Sequence, residues 1–378
     1  DHAEQALEIL RREQILLVIS DWRMPGMSGI ELCRQLREDP EFGQPYIILV
    51  TGQSARSDLV AGMEAGADDF IAKPFNSEEL RVRLQAGVRL LRLREESERR
   101  NAELAEAYRI IQADLSAAAQ MQRALLPVSA SPFPQLDVAS LFLPAAEVAG
   151  DSFNFFPLDE RHLAFYHIDV SGHGIASAML SFKVSRFLTP EVGAITLRRR
   201  ETTPQEAHAP GLPGNLVAPH EVVATLNRRF LEKDDCTHYF TMVYGVIDAR
   251  SGSGVLCQAG HPHPLIRDRH GKMRTLGEGG FPVGMLDQVS YESVPFSLAP
   301  GECLYLYSDG ITECRAALGG NEFGLPRLQD LLANSSGEAL AGNVDSLRRE
   351  LLNWRGHSPL QDDVSLLAIA RVASATPR

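Results

Sequence analysis

The chain has 378 residues, 44% of them apolar and 23% charged, with a net charge of −12. That length exceeds one compact core and calls for two or three domains. The acidic balance argues against general binding to DNA, RNA or anionic lipid, because few cations are present to displace phosphate counterions. The five cysteines are odd in number and lack C-x-x-C spacing, as expected of reduced thiols in a cytosolic protein. The longest apolar runs, "ILLVI" and "YIILV", are too short to span a bilayer, and the first residues do not read as a signal peptide. A cytoplasmic protein is expected, without nucleic-acid or membrane partners.

Residues 1–83 alternate helical and extended patterns. "AEQALEILRRE" has helical apolar spacing, and "ILLVIS" is a short apolar run of the kind buried on both faces of a parallel sheet. "GIELCRQLRED", "YIILVTG", "ARSDLVAGMEAG" and "DFIAKPF" continue the alternation, and a helix opens at "NSEELRVRL", capped by Asn76 or Ser77. The pattern predicts an α/β doubly wound parallel sheet. In such sheets chemistry collects at the C-terminal ends of strands, which here carry Asp21, Thr51 and Lys73.

Residues 84–126 are rich in helix formers and contain no proline. Leu104, Tyr108, Ile111, Leu115, Ala118, Gln122 and Leu125 alternate by four and three residues, a heptad seam. Leu84, Val88 and Leu91 keep that spacing out of phase with the later set. The segment predicts a long helical linker with a weak coiled-coil seam, forming a homodimer or lying on its own domain.

Residues 127–378 open on a proline- and serine-rich boundary, "PVSASPFPQL". Strand patterns follow in "DVASLFLPA", "HLAFYHIDV", "FTMVYGVID", "GVLCQAG", "ECLYLYSDG" and "VSLLAIARV". Helical patterns interleave in "IASAMLSFKVSRFL", "PHEVVATLNRRFLEK" and "NVDSLRRELLNW". An α+β domain is predicted, an antiparallel β-sandwich flanked by helices. Residues 190–220 lack periodicity and are expected to be a surface loop.

Four acidic motifs abut these strands: "AGDSFN" with Asp151, "IDVSGHG" with Asp169, "YSDGITE" with Asp309, and "QDDVSL" with Asp362 and Asp363. Burying such acids unpaired is costly, and no lysine or arginine cluster adjoins them in sequence. Hard divalent cations, magnesium or manganese, are the natural compensation for carboxylates without cysteine ligands. The run "DVSGHGIASAML" by itself leaves open whether Asp169, Ser171 or His173 carries the chemistry.

Two resemblances sharpen this reading. "DWRMPGMSG", Thr51 and "KPF" resemble the receiver domain of bacterial response regulators. The resemblance implies that Asp21 is the phosphoacceptor, that Thr51 and Lys73 contact the phosphoryl group, and that Phe70 is the aromatic switch. It also implies magnesium for phosphorylation and an upstream histidine kinase or phosphotransfer protein. A receiver begins with a further strand, whose acidic end binds magnesium. The chain as given starts at the second helix, so the receiver is expected to be partial, with "ILLVI" at a sheet edge.

The four acidic motifs, with "QMQRALLP" and "AGHPHPLI", resemble the SpoIIE/RsbU branch of the metal-dependent (PPM) protein phosphatases. This implies a hydrolase of phosphoserine or phosphothreonine with two Mn2+ or Mg2+ ions. Asp169 would bridge the ions, with the Val170 carbonyl on one, Asp151 on that same ion directly or through its waters, and Asp309 and Asp362 on the other. Asp363 and Gly172 would support the site, and Gly150, Gly174 and Gly310 would shape the turns. Neither Ser171 nor His173 need be a nucleophile, His261 is expected to be structural, and Asn154 stands where many relatives carry aspartate. The implied substrate is a phosphorylated STAS-type anti-sigma factor antagonist in a partner-switching pathway. A catalytically weak PPM fold serving as an adaptor is the alternative. The expected domains are a receiver over 1–83, a linker over 84–126 and a phosphatase domain over 127–378.

Overall fold

A computed structural model of the chain describes residues 2–13, 15–52, 56–127, 130–172, 174–189, 213, 216–232, 238–334 and 339–372. It divides into two compact units, residues 1–111 and 112–378.

The first unit contains α1 (Ala3–Arg12), β1 (Leu17–Asp21), α2 (Gly29–Glu38), β2 (Tyr46–Thr51), α3 (Arg56–Glu64), β3 (Asp69–Ala72) and the start of α4 (Ser77–Leu125). Its strands are parallel in the order β1-β2-β3, with Leu17 opposite Tyr46 and Thr51 opposite Ala72. β2 is buried along its whole length, which is why its sequence is continuously apolar. Ile47 and Leu49 pack under Leu7, Leu10, Leu32 and Leu36 of α1 and α2. Tyr46, Ile48 and Val50 face the other way, onto Leu80, Leu84 and Leu91 of α4. Among the described residues β1 has one neighbour, β2, and so lies at the edge. Ser28 and Glu31 cap α2 reciprocally, the Ser28 hydroxyl accepting from the Glu31 N–H at 3.3 Å and Glu31 accepting from the Ser28 N–H at 2.8 Å. Of the two caps anticipated for α4, Asn76 is the one used; its Oδ1 accepts from the Glu79 N–H at 2.7 Å.

The phase break in the linker sequence has a local cause. Leu84 and Leu91 face the unit's own sheet, so their register is set by β2 and β3. Beyond them, Leu104, Tyr108 and Ile111 are exposed. Pairs such as Arg94–Glu98 and Arg100–Glu96 support the charged middle of the helix. Gln122 departs from the expected seam. It is buried against its own domain, while Ala119 packs on Val148 and Ala178. A polar side chain at a heptad position satisfies the spacing whether it faces a second helix or a loop of its own chain.

The second unit takes in the end of α4, then β4 (Leu136–Leu143), β5 (Ser152–Pro157), β6 (His162–Val170), α5 (Ile175–Phe187), α6 (Pro219–Leu231), β7 (Phe240–Asp248), β8 (Ser253–Ala259), β9 (Leu265–Arg267), β10 (Met273–Thr275), β11 (Val294–Ser297), β12 (Cys303–Tyr307), α7 (Asp309–Thr312), α8 (Gly324–Asn334), α9 (Leu340–Arg355) and β13 (Val364–Arg371). The strands form two antiparallel sheets, β10-β9-β12-β13-β4 and β11-β8-β7-β6-β5. Phe153, Phe165, Val243 and Leu256 from one sheet meet Val138, Leu304, Leu306 and Leu367 from the other. The outer faces are covered by helices. Tyr166, Ile168 and Tyr244 lie under Leu180, Val184, Val222 and Leu226 of α5 and α6. Leu141, Tyr305 and Leu366 lie under Leu328, Leu332, Val344 and Leu347 of α8 and α9. The result is the expected sandwich flanked by helices.

The short strands β5, β9, β10 and β11 and helix α8 were not anticipated; few-residue strands carry too little alternation to read. Residues 190–212, most of the expected surface loop, lie outside the described residues, as do His173 and Cys236. The other four cysteines are free and buried. Among the described residues no helix is long and apolar enough to cross a membrane.

Phe165 is fully buried between the sheets and meets the Phe296 ring edge-on, with centroids 6.2 Å apart. Phe165→Ala is expected to cost about 3–5 kcal/mol, the usual range for a deleted core aromatic. Urea unfolding of the two proteins measures it, and a loss under about 1 kcal/mol would show that the sandwich core collapses around the gap.

Candidate active site

The acids converge at one end of the sandwich because strands from both sheets finish or start there. Asp169 is the penultimate residue of β6, and Asp151 directly precedes β5, its antiparallel neighbour. Asp309 begins α7, two residues after β12, and Asp362 and Asp363 lead into β13, the neighbour of β12. Each sheet therefore contributes its acids from one adjacent antiparallel pair.

The carboxyls act on one another. The Asp169 carboxyl is pushed up to about 8, first by burial and then by the charges of Asp309 and Asp362. Its side chain is also within hydrogen-bond reach of Asp309. Burial, then the charge of Asp169, push Asp151 well above the usual carboxylate range. Asp309 is raised by burial and then by Asp362. Among the described residues none of these carboxyls pairs with a lysine or arginine. A cluster of buried, mutually repelling carboxyls without a basic partner matches the donor chemistry that hard divalent cations demand. Among the described residues no group of three or more His, Cys, Asp or Glu side chains is placed to hold a metal ion.

The supports around the acids are specific. Asp363 is buried and accepts from the backbone N–H of Ala145 at 2.8 Å and of Gly150 at 2.6 Å. It thereby ties the segment before Asp151 to the start of β13, which fits a supporting rather than ion-facing place. The Ser365 hydroxyl donates to Asp151 Oδ2 at 2.5 Å, and His167 Nε2 lies 3.1 Å from it. Burial lowers His167 to about 3, so the ring stays neutral. The Ser308 hydroxyl donates to the Asp363 carbonyl at 3.1 Å and accepts from the Ser365 N–H at 3.0 Å.

The glycines divide by role. Gly172 and Gly174 adopt φ of +83° and +93°, the left-handed backbone expected of the turn from β6 into α5. Gly310 instead serves close approach, since a Cβ there would lie 2.1 Å from the Asp363 carbonyl oxygen. Ser171 is occupied in pinning the turn: its N–H donates to the Tyr239 carbonyl at 3.0 Å, and its hydroxyl accepts from the Tyr239 N–H at 3.2 Å. His261 is buried and its Nδ1 lies 2.7 Å from the Thr241 hydroxyl, in keeping with a structural place. Asn154 Oδ1 accepts from the Phe155 N–H at 2.8 Å within β5.

Sequence reasoning missed Ser365, Ser308 and His167. A serine or histidine inside an otherwise apolar, buried strand (His167, Ser365) or directly after one (Ser308) was the available signal, because such groups require partners. It also missed a cavity of about 300 Å3 beside Gly310 and Asp362, whose wall includes Glu313, Arg315, Glu322 and Arg355.

In the first unit Asp21, Thr51 and Lys73 do meet at the strand ends. The Lys73 ammonium contacts the Asp21 carboxylate and holds it below its usual range. The Lys73 N–H donates to the Thr51 carbonyl at 2.7 Å. Thr51 and Phe70 line one small cavity with Trp22, and the Arg83 guanidinium lies over the Phe70 ring at 5.6 Å.

Residues 159–372 match the family model of stage II sporulation protein E (SpoIIE). The chain belongs to the SpoIIE family. Residues 1–85 match the response regulator receiver domain. Over 265 residues the chain is 28% identical to protein IcfG of Synechocystis, covering 68% of this chain and 41% of that protein. Over 73 residues it is 48% identical to the phosphate regulon regulatory protein PhoB of Rhizobium meliloti, covering 19% and 32%. The chain thus spans less than half the length of these curated relatives. The SiaA-PP2C domain of Pseudomonas aeruginosa has the same fold, with a TM-score of 0.57 at 20% identity over 70% of this chain and 98% of that one.

In the presence of a chelator, Asp309→Asn is expected to raise the thermal midpoint by about 2–4 °C for each kcal/mol of repulsion removed. Differential scanning calorimetry checks this. A lowered midpoint would mean that the cluster is not held under like-charge strain.

Proposed function

We propose that the second unit is a metal-dependent protein serine/threonine phosphatase governed by the receiver. The observation that carries this reading is the set of Asp151, Asp169, Asp309 and Asp362, drawn from two sheets to one rim without a basic partner among the described residues. SpoIIE membership and the PP2C fold support the same class. The proposed division is receiver 1–83, signalling linker 84–126 and phosphatase domain 127–378.

Asp169 would bridge two Mn2+ or Mg2+ ions, with Asp151 and the Val170 carbonyl toward one and Asp309 and Asp362 toward the other. When bound, such ions supply a water nucleophile at neutral pH and offset charge on the phosphoryl group. The chain's own residues do the positioning. Ser365 holds the Asp151 Oδ2. Asp363 fixes the backbone of Gly150, and with it the segment that leads into Asp151. Asp362 is exposed and lines the cavity beside Gly310, an open side from which a phosphorylated side chain can approach. With Ser171 engaged by Tyr239, direct attack by water needs no serine nucleophile.

The proposed substrate is a phosphorylated STAS-type anti-sigma factor antagonist. In the receiver Asp21 would take a phosphoryl group from an upstream histidine kinase or phosphotransfer protein, aided by Mg2+. Lys73 and Thr51 would contact that group, and Phe70 would respond to it. The exposed Leu104, Tyr108 and Ile111 of α4 support pairing with a second copy.

Two outcomes test the reading. With Mn2+ and a phosphoserine STAS protein, Asp309→Asn or Asp362→Asn is expected to lower the rate at least ~100-fold, in line with the contribution of catalytic ions. Near wild-type rates at saturating Mn2+ would refute the site. Leu104→Glu with Ile111→Glu is expected to convert a dimer to a monomer by light scattering; an unchanged mass would refute pairing through this seam.

A further inference from the structure

One motif singled out in the sequence, "QMQRALLP", is not accounted for by the catalytic acids. Its second glutamine, Gln122, lies near the C-terminal end of α4 and is only 5% exposed. The side-chain amide there makes both of its polar contacts to one residue. Its Nε2 donates to the Ala149 carbonyl at 2.7 Å, and its Oε1 accepts from the Ala149 N–H at 2.9 Å. An amide paired in this way copies a strand-to-strand hydrogen-bond pair, so it fixes the orientation of the Ala149 peptide units as well as their distance.

The position of Ala149 gives the clamp its consequence. The next residue, Gly150, donates its N–H to Asp363 at 2.6 Å, and Asp151 follows it. A Cβ at Gly150 would lie 3.1 Å from the Val170 carbonyl oxygen and 3.2 Å from Ser177 Cβ, so this segment runs hard against the turn after β6. The helix adds an apolar contact at the same place, Ala119 on Val148 and Ala178. The backbone entering Asp151 is therefore held from two sides, by Asp363 on the sheet and by Gln122 on α4.

We infer that Gln122 is a positioning residue for the ion site, setting the Asp151 carboxylate through the Ala149 peptide units. This rests on the reading of Asp151 as an ion ligand. Gln122 itself touches neither ion nor substrate. Its effect is that of a partner standing behind a ligand, where substitution commonly weakens metal affinity by about 10–100-fold. A small displacement of the end of α4 would break two hydrogen bonds at once and release the segment that carries Asp151.

The test compares wild type, Gln122→Met, Gln122→Glu and, as a control, the exposed neighbour Gln120→Met. Mn2+ binding is measured by calorimetry without substrate, and exchange of the Ala149 amide by hydrogen–deuterium exchange in chelator. Gln122→Met, which keeps the length and loses both polar contacts, is expected to bind Mn2+ about 10–100-fold more weakly. Its Ala149 amide should exchange faster, and the thermal midpoint in chelator should fall, because two buried backbone groups lose their partners. Gln122→Glu retains the acceptor for the Ala149 N–H and should fall between wild type and Gln122→Met, which keeps the test open if the methionine variant folds poorly. Gln120→Met should match wild type. Faster Ala149 exchange with unchanged Mn2+ affinity would overturn the inference while leaving the proposed function standing. A wild-type protein that takes up no Mn2+ would overturn both.

Discussion

Mutual repulsion among carboxyls at one end of the sandwich is the constraint on which the second unit turns. Asp151, Asp169 and Asp309 are placed where burial and neighbouring carboxylate charge work against ionisation, and Asp362 adds its charge from the exposed side. No fold gains stability from that arrangement, since nothing basic among the described residues offsets it. It persists because the strands that bear the acids are fixed by packing on both faces, far from the rim. The sandwich core thus holds a polar edge that it does not need, which is the usual mark of a site kept for chemistry.

Holding such groups in place requires tethers that are not themselves charged. Backbone N–H groups serve Asp363, a serine hydroxyl serves Asp151, and a neutral histidine backs the serine. Neutral donors orient a carboxylate and still leave its charge available to a cation. An arginine in the same place would satisfy the acid and compete with any ion. The buried His167 suits this role because burial keeps its ring uncharged.

Helix α4 shows how one run of residues answers to different surroundings. Near its start it completes the apolar face of a parallel sheet; later it is exposed along Leu104, Tyr108 and Ile111; at its end it packs on Val148 and hydrogen-bonds Ala149. Helix propensity and salt pairs along its length are compatible with all three. The apolar spacing therefore reports that a face is covered, without saying by what.

That limit describes the whole molecule. Strand and helix order, the receiver motif, the sandwich class and the acids at strand ends were legible in the sequence, because periodicity and burial cost are local properties of the chain. Asp21, Thr51 and Lys73 were likewise readable as three successive strand ends, and a parallel sheet brings such ends together by construction. Which residues stand behind Asp151 was decided only by the tertiary structure. Ser365 reaches Asp151 from 214 residues away in sequence, His167 reaches Ser365 from 198 and Gln122 reaches Ala149 from 27, and nothing in their own neighbourhoods specifies those partners. The phase of α4 was decided in the same way. A heptad fixes the spacing of a face, but only the packed sheet and the loop at Ala149 determine where that face points.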